Sequence, residues 1–217
     1  MAVGRSRARD WVAWHEPYAD PASNLSRRLA AVQALLREAL DAMPAGAIRV
    51  LSACAGQGHD VLGVLPTHPR RGDVTALLVE SDPTNAAAAR AHAADAGVAG
   101  QVTVAEADAG TTDPYRDAAP AHVLLFCGVY GNVTDGDIAR TILETRTLAA
   151  AGAWVLWTRG RGVDDDVTPS IRRWYDAAGF IEHAFVAPGD ASFSVGCNRL
   201  AAAPRPYVEG VRLFTFV

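Results

Sequence analysis

The chain has 217 residues, half of them hydrophobic, with 20 basic against 24 acidic side chains and a formal net charge of −4: one ordinary domain with enough apolar surface for a core, not a disordered chain. Every basic residue is Arg, which excludes mechanisms built on a Schiff-base or phosphate-loop Lys, and with no basic stripe nucleic acid is not expected as a partner. No stretch approaches the roughly 18–20 apolar residues of a spanning helix, and the Arg-rich start lacks the apolar centre of a secretory signal, so the expected compartment is the cytoplasm with no membrane partner.

Residues 1–45 read as an N-terminal extension and helix, and 46–217 as the main domain. In the extension, Trp11, Trp14, His15 and Tyr18 form an aromatic cluster, suited either to a lid over a cleft or to stapling the extension onto the core. From Asn24 to Ala42, apolar residues at spacings of three and four predict an amphipathic helix. Strand-like and helix-like segments then alternate. Strands are predicted at Ile48 to Ala53, Val74 to Glu80, Val102 to Ala105, Ala121 to Cys127 and Ala153 to Thr158. Helices are predicted at Gly58 to Leu65, Pro83 to Ala96, Asp135 to Ala149 and Pro169 to Ala178. Phe180 to Val186 and Val211 to Val217 complete seven strands as an antiparallel edge pair; Ser192 to Leu200 reads either as a strand of that pair or as a loop over the site. The expectation is an α/β, doubly wound, mostly parallel seven-stranded sheet covered on both faces.

In such a sheet, ligands bind beyond the carboxyl ends of the strands, where the strand order reverses. The first strand ends in Ser52-Ala53-Cys54-Ala55-Gly56-Gln57-Gly58, whose glycines permit a tight turn and close backbone approach. About twenty residues after that turn the second strand ends in Glu80, placed to accept hydrogen bonds from both ribose hydroxyls of an adenosine cofactor. Asp108, just past the third strand, is placed to face an adenine amino group.

Over residues 46–217 these motifs resemble the class I S-adenosylmethionine-dependent methyltransferases, within them a bacterial methyltransferase-like group. The resemblance implies a Rossmann-like methyltransferase fold with S-adenosylmethionine as cofactor. It implies that Ser52, Cys54, Gly56, Gln57 and Gly58 form the glycine-rich first motif, with Glu80 at the ribose and Asp108 at the adenine. Cys127, Gly128, Val129 and Tyr130 then flank the methionine end. Ser52 stands where the family usually has an acid and Cys54 where it usually has Gly, departures that weaken or abolish cofactor binding.

Around the expected substrate position, Tyr130 and Asn132 are candidates to contact substrate or, alternatively, to cap a turn. Arg159 and Arg161 are placed to bind a carboxylate, phosphate or sulfate, and Trp14 and Tyr18 contribute if the lid forms. His59 and Tyr130 are the nominees for a base, with Arg159 as a charge stabiliser. Cys54 and Cys127, expected close together at adjacent strand ends, read as packing residues rather than nucleophiles. The run Asp164, Asp165 and Asp166 reads as a solvated face entering a helix, and no metal is expected. Methyl transfer to a small, polar, anionic molecule of bacterial specialised metabolism is the leading expectation. The alternatives are a cofactor-free cyclisation or elimination on the same fold, and a non-catalytic binding subunit of a partner enzyme.

Overall fold

The computed structural model describes residues 20–162 and 166–217. Helix α1 (Asn24–Asp41) starts at Ser23, whose hydroxyl accepts the Ser26 N–H, and buries the stripe Val32, Leu35, Leu36, Ala39 and Leu40. Strands β1 (Ile48–Ala53), β2 (Val74–Glu80), β3 (Val102–Glu106), β4 (Ala121–Phe126) and β5 (Ala149–Gly160) follow. Helices α2 (His59–Leu62), α3 (Pro83–Asp95) and α4 (Asp135–Leu148) intervene, and α5 (Thr168–Ala177) precedes β6 (Phe180–Val186) and β7 (Phe193–Leu200). Asp82 caps α3 by accepting the Thr84 and Asn85 N–H groups, with Pro83 in the first turn, and Thr134 caps α4 through the Asp137 N–H.

The seven strands lie in the order β3-β2-β1-β4-β5-β7-β6. The first five are mutually parallel, and β7 is antiparallel to both β5 and β6. The order reverses between β1 and β4, the point at which sheets of this kind bind ligands beyond their carboxyl ends. Alternate residues of each strand feed two cores. Val50, Leu78, Leu125 and Leu156 pack with α1 and α2, while Leu51, Val79, Phe126 and Trp157 pack with α4 and α5. No helix of the described residues is long and apolar enough to cross a membrane.

The doubly wound, mostly parallel sheet with an antiparallel edge pair is therefore present, with four corrections. The helix expected from Gly58 to Leu65 is one turn. Gly63 ends it, pressed so closely on Gln33 that a Cβ would lie 2.1 Å from Nε2, and Pro66 then permits only a 3₁₀ turn, Leu65–Thr67. The edge pair is made by Ser192 to Leu200, not by Val211 to Val217. That last segment makes only isolated bridges, Thr111 with Arg212 and Val133 with Phe216, as it crosses the loops that follow β3 and β4. Strand β5 begins four residues earlier than Ala153 because α4 runs into it without a loop. Finally, the sheet is not covered evenly. The β3–β4 link holds only the 3₁₀ turn Asp113–Tyr115, and a groove of about 390 Å³ lies over β1–β3, lined by Arg49, Thr75, Leu77, Thr103, Ala105 and Asp117.

Candidate functional site

The turn after β1 is built on left-handed backbone. Cys54, Gly56 and Gly58 have φ of 51°, 55° and 78°. Gly58 also permits close packing, since a Cβ there would lie 2.7 Å from Leu62 Cδ1. The Ala55 N–H donates to the Val79 carbonyl, tying the turn to β2. At the end of β2 the Glu80 carboxylate is 8% exposed. Its Oε2 accepts the Gly56 N–H and its Oε1 the Asp82 N–H, both at 2.8 Å. An ionised carboxylate offers about four acceptor positions. Two remain. Gln57 reaches away from the cleft, its amide donating to Asn85 of α3 at 3.3 Å.

Ser52 is buried within β1. The Cys54 thiol is pushed well above the ordinary range, first by burial and then by the charges of Glu80 and Asp108. It is a packing group rather than a thiolate nucleophile. Cys54 and Cys127 sit at the ends of neighbouring strands, yet the first packs into the core on the α4 side and the second into the core on the α1 side. Burial also raises the Cys127 thiol, with the Asp60 carboxylate, its hydrogen-bond partner, adding to the effect and Arg28 opposing it. Asp60, in the first turn of α2, is thus a rim residue not singled out from the sequence; an acid two residues past a glycine turn was the available signal.

Past β3, Asp108 holds the Gly110 N–H on Oδ1 at 2.8 Å and Arg212 Nη1 on Oδ2 at 2.6 Å. Past β4, Gly128 turns with φ 80° and donates its N–H to Thr158 Oγ1. Val129 and Tyr130 then point inward and are fully buried. The Tyr130 hydroxyl meets that of Tyr175 at 2.8 Å, within an aromatic stack that includes Phe126 and Trp157, and burial pushes its phenol far above the ordinary value. This corrects the assignment of Tyr130 as base and substrate contact, and of Val129 as a cofactor contact: neither reaches the cleft. Asn132 closes the turn by donating from Nδ2 to the Gly128 carbonyl at 2.7 Å, the capping alternative.

The two arginines at the end of β5, Arg159 within it and Arg161 just past it, part company. Arg161 donates to the carbonyls of Phe193, Pro188 and Ala191, clamping the β6–β7 hairpin, which corrects its placement at the substrate. Arg159 points toward the β4 loop, where a Cβ on Gly131 would lie 3.8 Å from Nη1. Asp166 accepts the Thr168 N–H and hydroxyl at the entry to α5, and its carboxyl is held below the ordinary range first by that hydroxyl, with Arg161 and Arg159 contributing. His59 opens α2, half buried, its ring 5.4 Å from that of His92. Trp14, Tyr18, Asp164 and Asp165 lie outside the described residues.

Solved structures share this fold. The magnesium protoporphyrin IX methyltransferase of Synechocystis, solved with bound S-adenosylmethionine, superposes with a TM-score of 0.67 at 10% identity over 88% of this chain and 91% of its own. The fold is that of the class I methyltransferases. An O-methyltransferase family protein from Burkholderia thailandensis gives 0.61 at 18% identity; this chain covers 62% of its length and 88% of its own. The [4+2]-cyclase SpnF has the same fold, with a TM-score of 0.56 at 12% identity over 81% of this chain and 82% of its own. No protein-family model and no curated protein matches the sequence.

Proposed function

We propose that the protein binds S-adenosylmethionine along the carboxyl ends of β1, β2 and β3 and transfers its methyl group to a small molecule at the β4–β5 corner. Glu80 carries this reading. A buried carboxylate aimed by two backbone N–H groups beside a left-handed glycine turn is a preformed acceptor for a vicinal diol such as the ribose hydroxyls. The bound cofactor supplies an electrophilic methyl group on a sulfonium sulfur. Glu80 would hold the ribose, Gly56 and Gly58 would allow the backbone to come close, and Asp108 would meet the adenine amino group. Cys127 and Gly128 would flank the methionine end. Ser52 brings no charge there, but Asp60 stands on the Cys127 thiol and supplies the negative charge that Ser52 lacks. The Cys54 side chain occupies the space of a family glycine without blocking the turn, since it packs into the core.

At the acceptor side, Arg159 is the cation suited to a carboxylate or phosphate, and His59 is the remaining group able to take a proton. Alignment of acceptor, methyl and sulfur does most of the work, and no covalent enzyme intermediate is needed. The proposed setting is the bacterial cytoplasm, in specialised metabolism.

One observation favours a second reading. The uncharged Ser52 is buried where the methionine end lies in the first reading, and a cyclase shares the fold. A cyclisation or elimination on an anionic substrate would then rest on Arg159 alone. Titration of cofactor-stripped protein with S-adenosylmethionine and S-adenosylhomocysteine by calorimetry, with Glu80→Ala as control, separates the two. Micromolar binding lost in the variant supports methyl transfer. No heat from either ligand overturns it and shifts the search to cofactor-free turnover abolished by Arg159→Ala.

A further inference from the structure

Asp108 is a mobile kind of residue in an exposed place: its side chain is 62% exposed, in the loop two residues past the end of β3. A carboxylate in such a position ordinarily samples several rotamers. Here both oxygens are held, Oδ1 by the Gly110 N–H and Oδ2 by the guanidinium of Arg212, 104 residues away in the chain. The guanidinium is delivered by a segment that is itself fixed. Val211 exchanges hydrogen bonds with Thr112, accepting its N–H and donating to its Oγ1. Leu213 donates to the Gly110 carbonyl, accepts from Thr141 Oγ1, and is buried together with Phe214. The fit is tight enough that a Cβ on Gly110 would lie 2.5 Å from the Phe214 carbonyl oxygen. An ion pair this exposed adds little to folding stability. Its effect falls instead on where the carboxylate points.

We propose that Arg212 is a positioning residue for Asp108, and that through it the cleft selects a purine carrying a 6-amino group over one carrying a 6-oxo group. The inference rests on the cofactor reading above. With one protein donor on each oxygen, the ionised Asp108 keeps further acceptor positions and has no hydrogen to give. It therefore accepts from the amino group of adenine and repels the carbonyl oxygen of hypoxanthine. The discrimination requires the carboxylate to be fixed, because a free one turns to water when the wrong base arrives. Arg212 is the group that fixes it from outside the cleft.

The test compares S-adenosylhomocysteine with S-inosylhomocysteine by calorimetry, on the full chain and on Arg212→Ala, Arg212→Lys and Asp108→Asn, with thermal melts to verify folding. The wild-type protein is expected to prefer the adenosyl ligand by about tenfold or more, the scale of one hydrogen bond to a charged acceptor. Arg212→Ala should lose most of that ratio, the adenosyl ligand weakening because the carboxylate is no longer held toward it and the inosyl ligand gaining because the carboxylate can turn away, and Arg212→Lys should recover part of it. Asp108→Asn, whose amide can donate as well as accept, should lose the preference outright. A merely structural Arg212 would weaken both ligands in parallel or neither. An unchanged ratio in Arg212→Ala overturns this proposal while the cofactor reading stands. Absence of binding of either ligand to the wild-type protein overturns the cofactor reading, and this proposal with it.

Discussion

The carboxylate of Glu80 accepts the backbone N–H of Gly56 at 2.8 Å, so the glycine turn after β1 and the acid that ends β2 form one unit. The same carboxylate holds the Asp82 N–H, and Asp82 in turn caps α3. A single side chain therefore fixes a turn, a strand end and a helix start, which gives Glu80 a structural load beside its proposed part at the ribose.

Replacing Glu80 by Ala leaves two partly buried N–H groups without their acceptor. The expected loss of stability is about 2–4 kcal/mol, at about 1–3 kcal/mol for each donor less what water restores, read by denaturant melts. A loss below about 0.5 kcal/mol would show that solvent replaces the carboxylate at no cost.

Cys54 adopts φ 51°, where a side chain costs roughly 1–2 kcal/mol and a β-branched one more. Cys54→Gly is therefore expected to stay within about 1 kcal/mol of the wild type, relief of strain offsetting the lost thiol packing. Cys54→Val should lose about 2 kcal/mol or more. The raised thiol also predicts that iodoacetamide at pH 8 leaves Cys54 unmodified in the native protein, as mass spectrometry of the digested chain would establish.

Tyr130→Phe removes one partner of the buried hydroxyl pair and leaves Tyr175 unsatisfied, at an expected cost of about 1–3 kcal/mol. Because the pair lies in the core, the double variant Tyr130→Phe/Tyr175→Phe should recover most of that loss, and neither variant should alter ligand affinity in the cleft. A variant that folds fully but no longer binds or turns over ligand would return Tyr130 to the site.

His122 accepts the Arg49 N–H on Nδ1 and is held below its ordinary pKa, first by burial and then by the Arg49 charge. The unfolded chain thus binds a proton that the native state resists. Stability is fully present above the unfolded pKa of about 6.5 and falls as the pH drops below it toward the folded value. Melts between pH 7.5 and 5 should show this slope, and His122→Gln should flatten it. An equal slope in the variant would assign it to another group.

Strands β1, β2 and β4 are readable because each is a nearly unbroken apolar run, largely buried, and Gly58 and Glu80 are readable because their spacing is set by one strand-helix-strand crossover. Strand β7 hides because its polar residues are satisfied by partners far away in the chain. Asn198 accepts the indole N–H of Trp157, Ser194 donates to the Arg159 carbonyl, and Gly196 makes room for the Trp157 ring. Tyr130 misleads for a related reason. Just past a strand end, one left-handed residue such as Gly128 decides whether the next side chain faces the cleft or the core, and composition does not record that rotation.

The segment that crosses the loops after β3 and β4 has a kinetic consequence. Its contacts join positions about a hundred residues apart, among them Arg212 with Asp108 and Val211 with Thr112. Contacts of such long reach repay their loop-closure entropy late. The parallel strands can pair before the segment arrives, whereas the β3 corner of the rim cannot close until it does. Among the amides of the rim, those of Thr112 and Leu213, which bond across between the segment and the loop after β3, should be the last to gain protection in pulsed hydrogen exchange during refolding.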